Sequence, residues 1–145
     1  MKILVPVDFS KNTQTILDEA LKIALKLNAK LCLLHVADSV PEFLGMEHGP
    51  QSPRDTLLRK HEESKKALLE IVDTLKNQDC GVESKWTTGP IIEMVLKEAK
   101  ILKADMIVVG SHGHGAMYQI LVGSVSEGIL HQSDVPVLVV PTHER

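Results

Sequence analysis

Aromatic residues are scarce in this chain. Phe9, Phe43, Trp86 and Tyr118 are the only four in 145 residues, too few for the stacked platforms that hold single-stranded nucleic acid. Positive charge does not make up for them. The net charge is −3, so no overall field draws the chain toward phosphate backbones or anionic lipid. Long apolar runs are missing as well. The opening ILVPV is broken by Pro6 and ended by Asp8, short of a signal-peptide core, and nothing reaches the roughly 20 apolar residues of a membrane-spanning helix. Cysteine is limited to Cys32 and Cys80, without CxxC spacing. That excludes a disulfide framework and a thiolate zinc site. Both read as buried or unreactive thiols in a reducing compartment, and the expected location is cytoplasmic.

What is present is an ordinary globular composition, 43% hydrophobic and 24% charged, as soluble domains have. The length suits one domain spanning 1–145, in which about two-thirds of the unfolded surface is buried. Residues 105–109 and 135–140 read as the fourth and fifth strands, and the apolar runs at 3–7 and 30–36 lack alternation. That is the pattern of parallel strands covered on both faces. Residues 81–86 alternate more and read as a strand nearer an edge.

Between the runs, apolar residues recur at helical spacing. The first helix is predicted over 11–27, with Ser10 as its N-cap. A charged helix follows over 55–77, with Leu58, Ala67, Leu68, Ile71, Val72 and Leu75 facing the core. Two more are expected, from Pro90 to about Leu102 and over 116–132. Residues 38–54 hold three prolines and two glycines without periodicity and read as a long loop of the functional kind. The order β-α-β-α-β-α-β-α-β implies right-handed crossovers and a parallel sheet between helical layers. In such folds ligands bind beyond the C-terminal strand ends, where the winding reverses.

The fourth strand runs into GSHGHGAMYQILVGS, residues 110–124, with the spacing Gly110-x-x-Gly113-x9-Gly123-Ser124. Two readings fit it. Glycines can make a sharp turn and pack closely on the sheet, or they can free backbone N–H groups to converge on phosphate oxygens. A helix starting at Ser124 would add a second anion-binding element. No Gly-Lys-Ser/Thr occurs, and no GxGxxG follows the first strand. These absences exclude a P-loop enzyme and a dinucleotide dehydrogenase.

Taken together, ILVPVDFS, LLHV, the GxxG-x9-GS loop and the closing SDVPVLVVP resemble the universal stress protein family, in its ATP-binding branch. The likeness spans nearly the whole chain. It implies a five-stranded sheet in the order 3-2-1-4-5, a bound ATP, and a homodimer. Carried over by position, Pro6, Val7 and Asp8 line the nucleoside, with Asp8 near the ribose or a metal-bound water. Val36 contacts adenine through its backbone, and Val109 and Gly110 approach the ribose. His112, Gly113, Gly123, Ser124, Val125 and Ser126 surround the phosphates. Residues 110–126 contain no Lys or Arg, and His114 stands where family members often carry a basic residue. Charge compensation then falls to helix N–H groups, Mg²⁺, or His112 and His114, and ATP affinity is expected to rise as pH falls through the histidine range near 6.5.

Other readings stay open at this level. Asp8 competes between a ligand role and capping the first helix. His112 and His114 lack further ligands for a metal site; His35, at the mouth of the second strand beside the expected adenine contact, can simply be solvated, and His48, His61, His131 and His143 read as solvent-facing. The strand from Val135 to Val140, if at an edge, would pair with a second copy across a two-fold axis. The function expected is that of a dimeric regulator or sensor in the stress response. A slow Mg²⁺-dependent ATPase or phosphotransfer enzyme and a nucleotide-free dimeric adaptor are the alternatives. No catalytic residue is assigned, since no arginine finger accompanies the loop.

Overall fold

The computed structural model describes residues 1–42, 52–111 and 124–142. Five parallel strands, β1 (Lys2–Pro6), β2 (Lys30–Ala37), β3 (Val82–Thr88), β4 (Met106–Gly110) and β5 (Val137–Val140), alternate with helices α1 (Thr13–Leu27), α2 (Pro53–Leu75), α3 (Ile91–Leu102) and α4 (Ser124–Gln132). The sheet order is β3-β2-β1-β4-β5, as the resemblance implies.

Alternate side chains of each strand enter two separate cores. Ile3, Val5, Leu31, Leu33 and Val108 pack with Ile16, Leu17 and Ala20 of α1 and with Leu68, Val72 and Leu75 of α2. Leu4, Cys32, Leu34, Ile107 and Val109 pack with Val95 and Ala99 of α3 and Ile129 of α4. A strand buried on both faces has no polar position to spare, so β1, β2 and β4 read as unbroken apolar runs. β3 and β5 lie at the two edges, and their residues are mostly half-buried.

Several element ends differ from expectation, each for a local reason. α2 begins at Pro53, because Ser52 accepts a hydrogen bond from the Asp55 amide (3.0 Å) and proline suits the first helical position. Ser10 does not cap α1. Its hydroxyl accepts from the Asn12 amide (3.3 Å) in a tight turn, and the helix starts later, at Thr13. β5 starts at Val137 because the Val135 amide bonds the Ser133 hydroxyl (3.1 Å) and Pro136 has no N–H to donate. In α2, Leu58 is exposed, whereas His61 is buried with 7% of its surface accessible. The solvent-facing assignment of His61 is therefore corrected. The Gly128 position in α4 has Ile92 of α3 where a Cβ would stand, which lets the two helices approach closely. No helix among the described residues is long and apolar enough to cross a membrane.

Candidate functional site

The winding reverses between β1 and β4, which pair through Ile3 with Met106 and Leu4 with Ile107. Residues leaving the C-terminal ends of these two strands therefore border one crevice. On the β1 side these are Pro6, Val7 and Asp8; on the β4 side, Val109, Gly110 and Ser111.

The β1 side is tightly specified. Val7 donates its amide to the Leu34 carbonyl (2.8 Å), and its own carbonyl lies 2.7 Å from Nδ1 of His35. A carbonyl only accepts, so Nδ1 carries the proton, and His35 serves as an anchor for the β1 exit. Asp8 Oδ1 accepts from the Ser10 amide (2.9 Å) and from the Thr13 hydroxyl (3.4 Å). One carboxylate oxygen thus braces the turn before α1, whose N-cap, Asn12, makes no side-chain cap hydrogen bond. Phe9 follows with φ 59°, a left-handed conformation that costs a bulky residue energy. Its ring sits 4.5 Å from that of His35 and packs against the α1/α2 core, so packing offsets the strain.

On the β4 side, Val109 is buried and Gly110 pairs with Val140 of β5. A Cβ on Gly110 would stand 2.6 Å from Cδ1 of Ile16 and 3.2 Å from Cγ2 of Thr142. Close packing by α1 and by the segment after β5 therefore accounts for this glycine, the first of the two readings of the loop. Ser126, in the first turn of α4, is buried and donates its hydroxyl to the Gly110 carbonyl (2.7 Å). That bond brings the start of α4 back to the end of β4, so Gly110 lies beside the helix that begins at Ser124. Ser124 is exposed at the helix start, where unsatisfied N–H groups gather. Glu127, the one acid of that first turn, has its carboxylate 3.6 Å from Nε2 of His131. Val125 packs into the α3/α4 core.

Val36 stands at the β2 end, opposite Thr87 of β3, and leans on the α3/α4 core. His112, Gly113, His114 and Gly123 lie outside the described residues. Among the described residues, no group of three or more His, Cys, Asp or Glu could hold a metal ion.

Sequence reasoning missed Ser111 and Thr142. The Ser111 amide donates to the Val140 carbonyl (2.8 Å). Its hydroxyl accepts from the Thr142 amide (2.9 Å) and lies 3.2 Å from the Thr142 hydroxyl. No local pattern marks a pair 31 residues apart.

The universal stress protein family model matches residues 1–141. The chain belongs to the universal stress protein family. Universal stress protein A homolog 1 of Coxiella burnetii is 34% identical over 139 residues, covering 95% of this chain and 94% of its own. Among solved structures, MJ0577, a universal stress protein of Methanocaldococcus jannaschii, superposes with a TM-score of 0.83 at 30% identity, over 99% of this chain and 97% of that one. A universal stress protein solved in complex with cAMP shares the fold, with a TM-score of 0.71 at 24% identity over 99% and 98% of the two chains.

Proposed function

We propose that the protein binds an adenine nucleotide, ATP with Mg²⁺, at the β1/β4 crevice and acts in the cytoplasm as a dimeric regulator or sensor in the stress response. The supporting observation is the 2.7 Å bond from Ser126 to the Gly110 carbonyl. It joins the end of β4 to the start of α4 at the crevice of a parallel sheet, in a family of which one member is solved with cAMP.

In this reading Pro6, Val7 and Asp8 line the nucleoside and the Val36 backbone meets the adenine. Val109 and Gly110 approach the ribose, and Asp8 lies near the ribose or a metal-bound water. Ser124, Val125 and Ser126 present α4 N–H groups to the phosphates, and His112, Gly113 and Gly123 complete that set. Mg²⁺ would supply the positive charge that residues 110–126 lack. The hydroxyl of Ser126 is already spent as a donor to the Gly110 carbonyl, so its amide would be the group that donates to a phosphate oxygen. β5, an edge strand, pairs with its copy in a second chain, covering otherwise open backbone groups.

The test is to denature freshly purified protein and to identify and count the released nucleotide by chromatography and mass spectrometry. About one ATP per chain supports the reading. ADP in its place points to hydrolysis. No nucleotide, followed by no titration with ATP and Mg²⁺, overturns it and leaves a dimeric adaptor. Sedimentation at micromolar concentration tests the dimer.

A further inference from the structure

Three segments remote in sequence converge on Gly110 and Ser111. α4 reaches the Gly110 carbonyl through Ser126 (2.7 Å). α1 lays Ile16 against the bare Cα of Gly110. The segment after β5 reaches Ser111 through the amide and hydroxyl of Thr142, and adds its methyl over Gly110. Ser111 and Ser126 are 5% and 9% exposed, so these bonds are shielded from competing water. They fix the point at which the chain leaves β4 and tie it to the point at which it enters α4.

We infer that Ser111 and Thr142 are positioning residues for the phosphate contacts at the start of α4, Ser124–Ser126, an inference that rests on the reading proposed above. Neither is assigned to touch the ligand. Their part is to hold the end of β4 in one direction before binding, so that less ordering counts against affinity when phosphates engage the α4 N–H groups that Ser126 ties to Gly110. The nucleoside half, at Pro6–Asp8 and Val36, is built on β1 and β2 and does not depend on this clasp. Gly110 itself stays in the β4–β5 ladder, opposite Val140, whether or not Ser111 has a hydroxyl. The clasp therefore discriminates between ligands, affecting a triphosphate and sparing a nucleoside.

The experiment measures binding of ATP with Mg²⁺ and of adenosine to the full chain by calorimetry, in wild type, Ser111→Ala and Thr142→Val. Ser111→Ala removes the acceptor of the Thr142 amide, and its ATP dissociation constant is expected to rise about tenfold. Thr142→Val keeps the methyl and the amide bond, and its ATP affinity is expected to fall about threefold. Adenosine affinity stays within about twofold of wild type in both. A merely structural role lowers melting temperature and leaves the ATP-to-adenosine affinity ratio unchanged, and that result overturns the inference. Equal loss of both ligands overturns it too. Should Ser111→Ala not fold, the ratio in Thr142→Val decides alone. Wild type that binds neither ligand is a different failure, that of the nucleotide reading itself.

Discussion

His61 of α2 donates from Nε2 to the backbone carbonyl of Asp38, 2.7 Å away, and so ties the helix to the residue that follows β2. The imidazole also meets Trp86 of β3 edge-on, with ring centroids 5.0 Å apart. Trp86 in turn donates to Ser64 (2.8 Å), and Lys65 lies over its face at 4.5 Å. A histidine buried in this way needs a partner for its ring N–H, and the Asp38 carbonyl supplies it. His61→Ala is expected to cost about 2 kcal/mol, from the lost bond and the space left beside Trp86. Urea unfolding followed by fluorescence of the single tryptophan measures it. A cost below about 0.5 kcal/mol, the range of an ordinary surface substitution, refutes the assignment.

Gly110 and Ile16 make a second prediction. Gly110→Ala drives a methyl into Cδ1 of Ile16 and should destabilise by about 1–3 kcal/mol. Ile16→Val removes that carbon. The double variant should recover about 1 kcal/mol or more relative to the sum of the single changes. Strict additivity would mean that the glycine is there for another reason.

Phe9 offers a test of strain, because its φ of 59° penalises any residue with a Cβ. Alanine is normally the milder substitute, yet here Phe9→Gly should be less destabilising than Phe9→Ala by about 1 kcal/mol. Both lose the packing on His35 equally, so the difference isolates the backbone. The usual order, with alanine better tolerated, would show that the conformation carries no cost.

Cys32, Glu83 and Lys30 form a linked set across β2 and β3. Burial, then the hydrogen bond from Sγ to Glu83 (3.2 Å), pushes the Cys32 thiol up to about 12. At pH 8 it stays protonated and covered, so Ellman's reagent should find one accessible thiol in native protein, the half-buried Cys80, and two after unfolding. A proton held more tightly in the folded state also means that stability falls as pH rises from the usual value of 9.0 toward 12.

The hydrogen bond from Lys30 (2.7 Å), then that from Cys32, pulls Glu83 below its usual 4.5. Its contribution is present above that value and is lost as pH falls through the lowered one. Glu83→Gln should therefore flatten the acid side of the stability profile. Parallel profiles for wild type and variant would remove the link.

The alternation of apolar runs with helical periodicity was enough to specify a parallel sheet between two helical layers, and the strand-end motifs pointed to its C-terminal edge. Both signals are local. A two-faced buried strand shows in consecutive residues, and an amphipathic helix shows within two turns. The residues that set up the crevice are legible only in part for the same reason. Asp8 and the glycine–serine spacing stand out in the chain, but whether Ser10 or Asp8 organises the start of α1 depends on which side chain the backbone turns inward. The role of Gly110 depends on Ile16 arriving from another element. His61 with Asp38 and Ser111 with Thr142 are separated by 23 and 31 residues, and polar residues in such pairs follow no periodicity. Their partners are chosen by how α2 and β5 pack on the sheet. The sequence alone thus determined the layers and the edge at which to look, through short-range patterns of burial. The hydrogen bonds that shape that edge were decided by tertiary structure, because each needs two groups that only the packed fold brings together.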